Sequence, residues 1–230
     1  MTPEMAFECL LVTPDPAVFS TMDELLQDFS ISTKACPDTS NAARLLAEGS
    51  ADLIIIDLDA TNASEFLQQT VAAPTRQKPT VLAVSAREEM AANVHVVLRK
   101  PVDRNSGLTC LKAAYSRMLR DYRKHTRFAV MSPAVVQDED GRSIQVTVTN
   151  IGEGGVGLTS IETIRIGSIL NFRLRLTGLE NEISIQARVL WTRAYGASGC
   201  EFTQLPAFDL QLLHAWLESR YRIKKPLRPV

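Results

Sequence analysis

Asn150-Ile151-Gly152-Glu153-Gly154-Gly155-Val156-Gly157-Leu158 is the stretch on which the fold of the second half turns. Three of the four residues 152–155 are glycine, and an Asn opens the run. Such a cluster between apolar residues marks a reversal joining two strands. Residues 143–151 and 155–160 are the two strands. Outward from them, 128–136, 168–176, 183–192 and 199–202 have the same short, apolar-rich character. Turn clusters such as Asp138-Glu139-Asp140-Gly141 and Gly178-Leu179-Glu180-Asn181 separate them. In Phe172-Arg173-Leu174-Arg175-Leu176 the alternation is strict, so one face of that strand meets water. Six short strands with regular turns predict a small antiparallel barrel. Residues 209–220 follow as an amphipathic helix, with Leu210, Leu213, Trp216 and Leu217 on its apolar side. The tail from Lys224 to Val230 is expected to fray.

The first half has a different period. Residues 9–12, 29–36, 53–56, 80–84 and 94–98 read as strands, and 16–28, 41–48 and 63–71 as helices between them. Asp15 and Ser40 stand at N-cap positions, and Gly49 is a stop. Leu53-Ile54-Ile55-Ile56 is apolar without alternation, as a strand buried on both faces must be. Strands alternating with helices predict a parallel sheet covered on both faces. After Pro101 a helix is expected over 103–122, with Leu108, Leu111, Ala114, Tyr115, Met118 and Leu119 in one stripe. The domains expected are therefore 1–119, a joint at 120–127, and 128–230.

Composition bounds the function. The chain has 230 residues, room for two domains, with 45 % apolar and 22 % charged residues. No apolar run approaches the ~20 residues of a membrane helix, and Met1-Thr2-Pro3-Glu4 lacks the start of a signal peptide. Membrane insertion is not expected. The four cysteines (Cys9, Cys36, Cys110, Cys200) are far apart, which suits buried free thiols in a reducing cytoplasm. The net charge of −1 divides into −5 for residues 1–119 and +4 for 120–230. That surplus is too modest for a DNA-binding protein. No metal site is expected, since His125 and His214 have no ligand partner at a suitable spacing. Neither a nucleophile elbow nor a phosphate-cradling loop occurs, so no catalytic residues and no cofactor are expected, and an enzyme is not.

Residues 6–120 resemble the receiver domain of bacterial response regulators. Ile54-Ile55-Ile56-Asp57-Leu58 is similar to the strand ending in the phosphoacceptor aspartate. Ala83-Val84-Ser85-Ala86 is similar to the strand ending in the switch hydroxyl, and Leu98-Arg99-Lys100-Pro101 to the Lys-Pro pair after the fifth strand. The resemblance implies a doubly wound α/β sheet and makes Asp57 the phosphoacceptor position. It also implies two adjacent acids after the first strand to hold Mg²⁺, and here Thr13 and Pro14 stand instead, with Asp15 following. Lacking those hard oxygen ligands, the domain is expected to be degenerate: Asp57 and Lys100 form an inherited ion pair, the segment before Lys100 has a shortened fourth helix, and the domain serves for docking to a protein partner or for self-association.

Residues 120–222 resemble the PilZ domain, the bacterial module that binds cyclic di-GMP. Arg123 and Arg127 match its Arg-x-x-x-Arg element. Asn150-Ile151-Gly152-Glu153-Gly154-Gly155 matches its Asp/Asn-x-Ser-x-x-Gly element, with Gly152 in place of the serine. Gln186-Ala187-Arg188-Val189-Leu190-Trp191 and Gly199-Cys200-Glu201-Phe202 look like its last two strands. Arginine suits this ligand because it can bond phosphate oxygens or guanine O6/N7 bidentately and stack on a purine. Asn150 offers an amide to a base edge, and Gly154 and Gly155 offer backbone N–H groups. The expected ligand residues are Arg123, Arg127, Asn150, Gly152, Gly154, Gly155 and Arg188, with Trp191 assigned to core packing. The resemblance implies a cytoplasmic effector in which ligand binding reorients the two domains. The alternatives are a nucleotide-independent scaffold, favoured by Gly152, and a phosphorylation-controlled response regulator.

Overall fold

The computed structural model describes residues 6–72, 78–87, 93–221, 223 and 226–227. They form two compact units, one holding Met1–Arg120 and the other Asp121–Tyr221.

In the first unit the isoleucine run forms β3 (Leu53–Asp57), in which every residue is buried. A strand buried on both faces belongs inside a sheet. β3 lies between β1 (Glu8–Val12) and β4 (Thr80–Ser85), with β2 (Ser32–Cys36) and β5 (Val96–Arg99) outermost. All are parallel, in the order β2-β1-β3-β4-β5. This is a doubly wound, receiver-like order, which places the carboxyl ends of β1 and β3 beside each other. On one face, Leu10, Val12, Ile54, Ile56 and Val81 share a core with Ala42 of α2 (Thr39–Glu48) and with Phe66 and Leu67 of α3 (Ala63–Ala72). On the other side α1 (Pro16–Asp28) packs against α4 (Arg104–His125). A methyl added at Gly107 would come within 2.8 Å of Leu25 Cδ1. Tyr115 sets its ring edge-on to Phe7 and Phe29, at centroid distances of 5.8 and 5.2 Å.

Caps explain where helices begin. Asp15 Oδ1 accepts from the Ala17 and Val18 amides, at 2.9 and 3.4 Å. α2 is capped by Asp38, whose Oδ1 accepts from Asn41 N at 2.8 Å. The expected cap, Ser40, lies inside the first turn. β2 starts at Ser32 rather than 29 because Phe29 still caps the end of α1 and Ser30 turns the chain at φ 55°. Residues 88–92, where the short fourth helix was expected, lie outside the described residues, as does most of the tail.

The joint expected at 120–127 carries helical backbone as far as His125. The reason is capping: Thr126 Oγ1 donates to Tyr122 O at 2.7 Å, and Arg127 Nη1 donates to Lys124 O at 3.0 Å. At the other end Leu227 N donates to Asp28 O at 2.8 Å, so this part of the tail is bonded to the first unit.

The second unit is a closed barrel in the order β10-β11-β8-β7-β6-β9. Its strands are β6 (Phe128–Gln137), β7 (Ser143–Gly152), β8 (Gly155–Thr159), β9 (Ile169–Leu174), β10 (Ile183–Thr192) and β11 (Ala197–Gln204). Val136, Val148, Ile151, Leu158, Leu174 and Val189 point inward, and α5 (Ala207–Glu218) closes that core with Leu213, Trp216 and Leu217. Each such side chain contributes about 1.5–3 kcal/mol on burial. β6 meets β9 only at Val136–Phe172 and Gln137–Asn171, which leaves its first half as an edge able to accept Pro133. Among the described residues no helix is long and apolar enough to cross a membrane.

Candidate functional site

The barrel's outer face is organised by strand register. Arg188 on β10 pairs with Glu201 on β11, Glu201 with Gly155 on β8, and Gly155 with Gly152 on β7. The next row runs from Trp191 through Gly199 and Gly157 to Asn150. Paired residues project to the same side of a sheet, and strands lie ~4.8 Å apart, so each row spans roughly 14 Å. The middle two strands contribute Gly155, Gly157, Gly199 and one acid, Glu201. The result is a low floor, bounded by Trp191 and Asn150 at the ends of one row and by Arg188 at one end of the other.

Trp191 and Asn150 lie down on the floor. A Cβ at Gly199 would overlap the Trp191 indole, and one at Gly157 would come within 2.9 Å of Asn150 Cγ. Asn150 Nδ2 also donates to Thr149 Oγ1 at 3.2 Å. Trp191 is 43 % exposed, with the Arg193 guanidinium 4.9 Å from its ring centroid. This corrects the assignment of Trp191 to the core. A bulge between Val189 and Trp191 shifts the register and turns the indole outward; one sequence in isolation does not reveal bulges.

Gly152 is the departure from the expected serine, and its neighbour explains it. A Cβ there would stand 2.5 Å from Thr126 O and 2.7 Å from Arg127 Cδ. The Arg127 side chain therefore occupies the space a serine would need. Its guanidinium Nη1 donates to Lys124 O and Thr126 O, at 3.0 and 3.2 Å, placing positive charge at the carbonyl end of α4. Two elements some 23 residues apart in sequence are thus in direct contact.

Arg123 points elsewhere. Its Nη2 pairs with Glu218 Oε1 of α5 at 2.9 Å, and its Cζ lies 5.8 Å from the Tyr221 ring centroid. Tyr221 donates to Glu153 Oε1 at 3.5 Å and packs on Phe128 and Tyr122. Burial, reinforced by the Glu153 charge, raises the Tyr221 phenol well above its ordinary pKa, so it remains a donor. Arg123 Nε is buried with no hydrogen-bond partner. An unmet buried donor costs about 1–3 kcal/mol. Arg188 Nη1 is 3.7 Å from Glu201 Oε1, a loose pair. Gly154 is exposed with open space around it, whereas Gly155 is required by packing, since a Cβ there would strike Cys200 O. Glu218, Tyr221 and Glu201 were not expected at the site, because no local spacing in the sequence ties β11, α5 or the residue after it to Arg123 or Arg188.

A family model matches residues 121–219, and it is that of the PilZ domain. The second unit is a PilZ domain. PilZ domains form a family of cyclic di-GMP-binding effectors, and the Arg123/Arg127 and Asn150–Gly155 elements lie inside the matched span. No curated protein matches the chain. Similar solved structures include a CheY-like receiver domain from Methylobacillus flagellatus, at 20 % identity and TM-score 0.44, covering 50 % of this chain and 99 % of that one. Another is the chemotaxis response regulator CheY4 of Vibrio cholerae, at 17 % and 0.44, covering 48 % and 99 %. A third is the inhibitor of motility MotI/DgrA of Bacillus subtilis, at 21 % and 0.36, covering 43 % and 50 %.

Apart from the PilZ domain, a charged cluster lies at the carboxyl ends of β1 and β3. Asp57 is 1 % exposed. Its Oδ2 accepts from Lys100 Nζ at 2.8 Å and from Thr13 Oγ1 at 3.1 Å, and its Oδ1 accepts from Asp59 N at 3.1 Å. Lys100 also bonds Asp59 at 3.0 Å. Burial opposes the ammonium charge, but the bonds and charges of Asp57 and Asp59 outweigh it and hold the Lys100 pKa above its ordinary value. Asp15, the one acid left after β1, serves as the α1 cap. Among the described residues no three His, Cys, Asp or Glu side chains converge as a metal site would.

Proposed function

We infer that this chain is a cyclic di-GMP-responsive effector whose ligand lies on the outer face of the PilZ domain. The observation that carries the reading is the contact of Arg127 with Gly152, which brings the arginine element onto the turn element. Arg188 and Gly152, the glycine that Arg127 covers, stand at opposite ends of one row, with Glu201 and Gly155 between them and Asn150 at the end of the next row. That arrangement suits a flat ligand with two phosphodiesters and two purines. The reading requires no cofactor and no catalytic residue.

Arg123 supplies the exchange step. In the structure it is held by a half-exposed carboxylate, with Nε unmet. Once the side chain swings away from Glu218 and Tyr221 and uncovers Nε, a phosphodiester offering oxygens to both Nε and Nη2 forms a bidentate pair and satisfies that donor. Binding therefore trades Glu218 for phosphate at the last turn of α4. Because α4 carries residues of both units, a change at that turn is the proposed route to their reorientation. The ligand shifts this equilibrium only by its differential affinity for the two arrangements. The receiver-like unit serves as an interaction module, a role supported by the closure of Asp57 on Lys100 and Thr13.

Titration calorimetry with cyclic di-GMP on wild type, Arg123→Ala and Arg127→Ala tests the reading. Each substitution removes charge-assisted bonds of about 1.5–3 kcal/mol, so affinity is expected to fall roughly 10- to 150-fold. Equal heats from all three proteins would refute the site. No heat from wild type would favour the scaffold alternative.

A further inference from the structure

Glu201 is out of place on a surface that should attract phosphate. It sits in the middle of the row, between Arg188 on β10 and Gly155 on β8. Its side chain is 43 % exposed, and its contact with Arg188, at 3.7 Å, is too long for a committed hydrogen bond. Among the described residues no hydrogen bond holds the carboxylate. Gly155 adds no side chain on one flank, and Gly199, two residues back on the same strand, adds none on that face either. The acid is thus presented over a bare floor, where its charge works against phosphodiester binding unless the ligand turns a donor edge toward it.

Resting on the cyclic di-GMP reading above, we propose that Glu201 selects the base: its carboxylate accepts from guanine N1–H and the 2-amino group, and so rejects adenine. The two carboxylate oxygens match two parallel N–H donors. Adenine presents a ring-nitrogen acceptor and a C–H at those positions. A carboxylate facing them gains no bond and meets a lone pair. Sites built to bond a particular donor discriminate strongly against an analogue lacking it, because a desolvated polar group is left unpaired. Arg188 then has two tasks: it bonds the ligand and keeps the Glu201 charge tolerable beside phosphate. No proton or covalent bond is transferred, and the effect is on binding alone.

The experiment compares cyclic di-GMP with cyclic di-AMP by titration calorimetry on full-length wild type, Glu201→Ala and Glu201→Gln, with thermal melts to verify folding. Wild type is expected to prefer the guanine ligand by roughly 100-fold or more. Glu201→Ala should weaken cyclic di-GMP about tenfold, leave cyclic di-AMP unchanged or tighter, and so lower the preference at least tenfold. Glu201→Gln, which keeps one acceptor and the shape, should fall between. If Glu201→Ala tightens both ligands equally, or leaves the ratio untouched, the residue is only a counter-charge for Arg188 and the proposal fails while cyclic di-GMP binding stands. If wild type binds neither ligand, both readings fail.

Discussion

Two charged clusters of this protein use the same chemistry to opposite ends. At the sheet's carboxyl edge, Asp57 is buried and receives bonds from Lys100, Thr13 and the Asp59 amide. On the PilZ domain, Arg123 meets Glu218 at 2.9 Å in a pair 36 % and 51 % exposed, and its Nε remains unmet. A buried and satisfied ion is costly to disturb, because breaking one partner strands a charge away from water. A half-exposed pair is close to neutral in free energy and can be exchanged for a better anion. The difference teaches that burial and satisfaction, more than the presence of an arginine or an aspartate, separate a structural lock from a recognition group.

The sharpest way to break that comparison is to remove one partner of the buried set. Lys100→Met is expected to destabilise the receiver-like unit by about 3 kcal/mol, since it strands the Asp57 charge. Urea denaturation at neutral pH measures this, and a loss below about 1 kcal/mol would place Asp57 in the exchangeable class. The sign with pH follows from the raised pKa of Lys100. Its contribution is complete below the ordinary lysine range and is lost as pH rises through the raised value.

A smaller effect is expected at the contact between the two PilZ elements. Gly152→Ser restores the family's usual residue but drives it into Thr126 O and Arg127 Cδ. Overpacking of this kind costs about 1–3 kcal/mol, read as a lowered melting temperature of the PilZ domain. An unchanged melting temperature would mean that Arg127 leaves the turn freely. The smallest effect belongs to the exchangeable pair itself. Glu218→Gln removes the competing anion, worth at most about 1 kcal/mol, and should tighten cyclic di-GMP by roughly threefold. A weakened ligand would show that Glu218 supports the binding arrangement rather than competing with it.

How much of this was legible in sequence depends on the range of the interaction. The isoleucine run, the alternation of 172–176 and the glycine cluster at 152–155 are local signals; the run and the turn lie in the elements expected, and the alternation starts inside β9, which ends at Leu174 rather than 176. The Asp38 cap was misread as Ser40 because both residues can cap and the choice is made by backbone geometry. Trp191 was taken for core because a bulge inverts the parity on which such readings rest. Arg123, Arg127 and Asn150 were singled out by pattern, yet their present partners were not. Glu218, Tyr221 and Glu201 reach the site through barrel closure and the docking of α5, and no spacing along the chain encodes those.

One consequence of the outward Trp191 is spectroscopic. The chain has two tryptophans. Trp216 is 4 % exposed with its indole N–H on Thr177 O, whereas Trp191 is half-open to solvent at the end of the glycine floor. Their emission should separate, blue for the first and red for the second. The native fluorescence of this protein therefore carries a built-in optical probe of whatever settles on that floor, with an internal reference a domain core away.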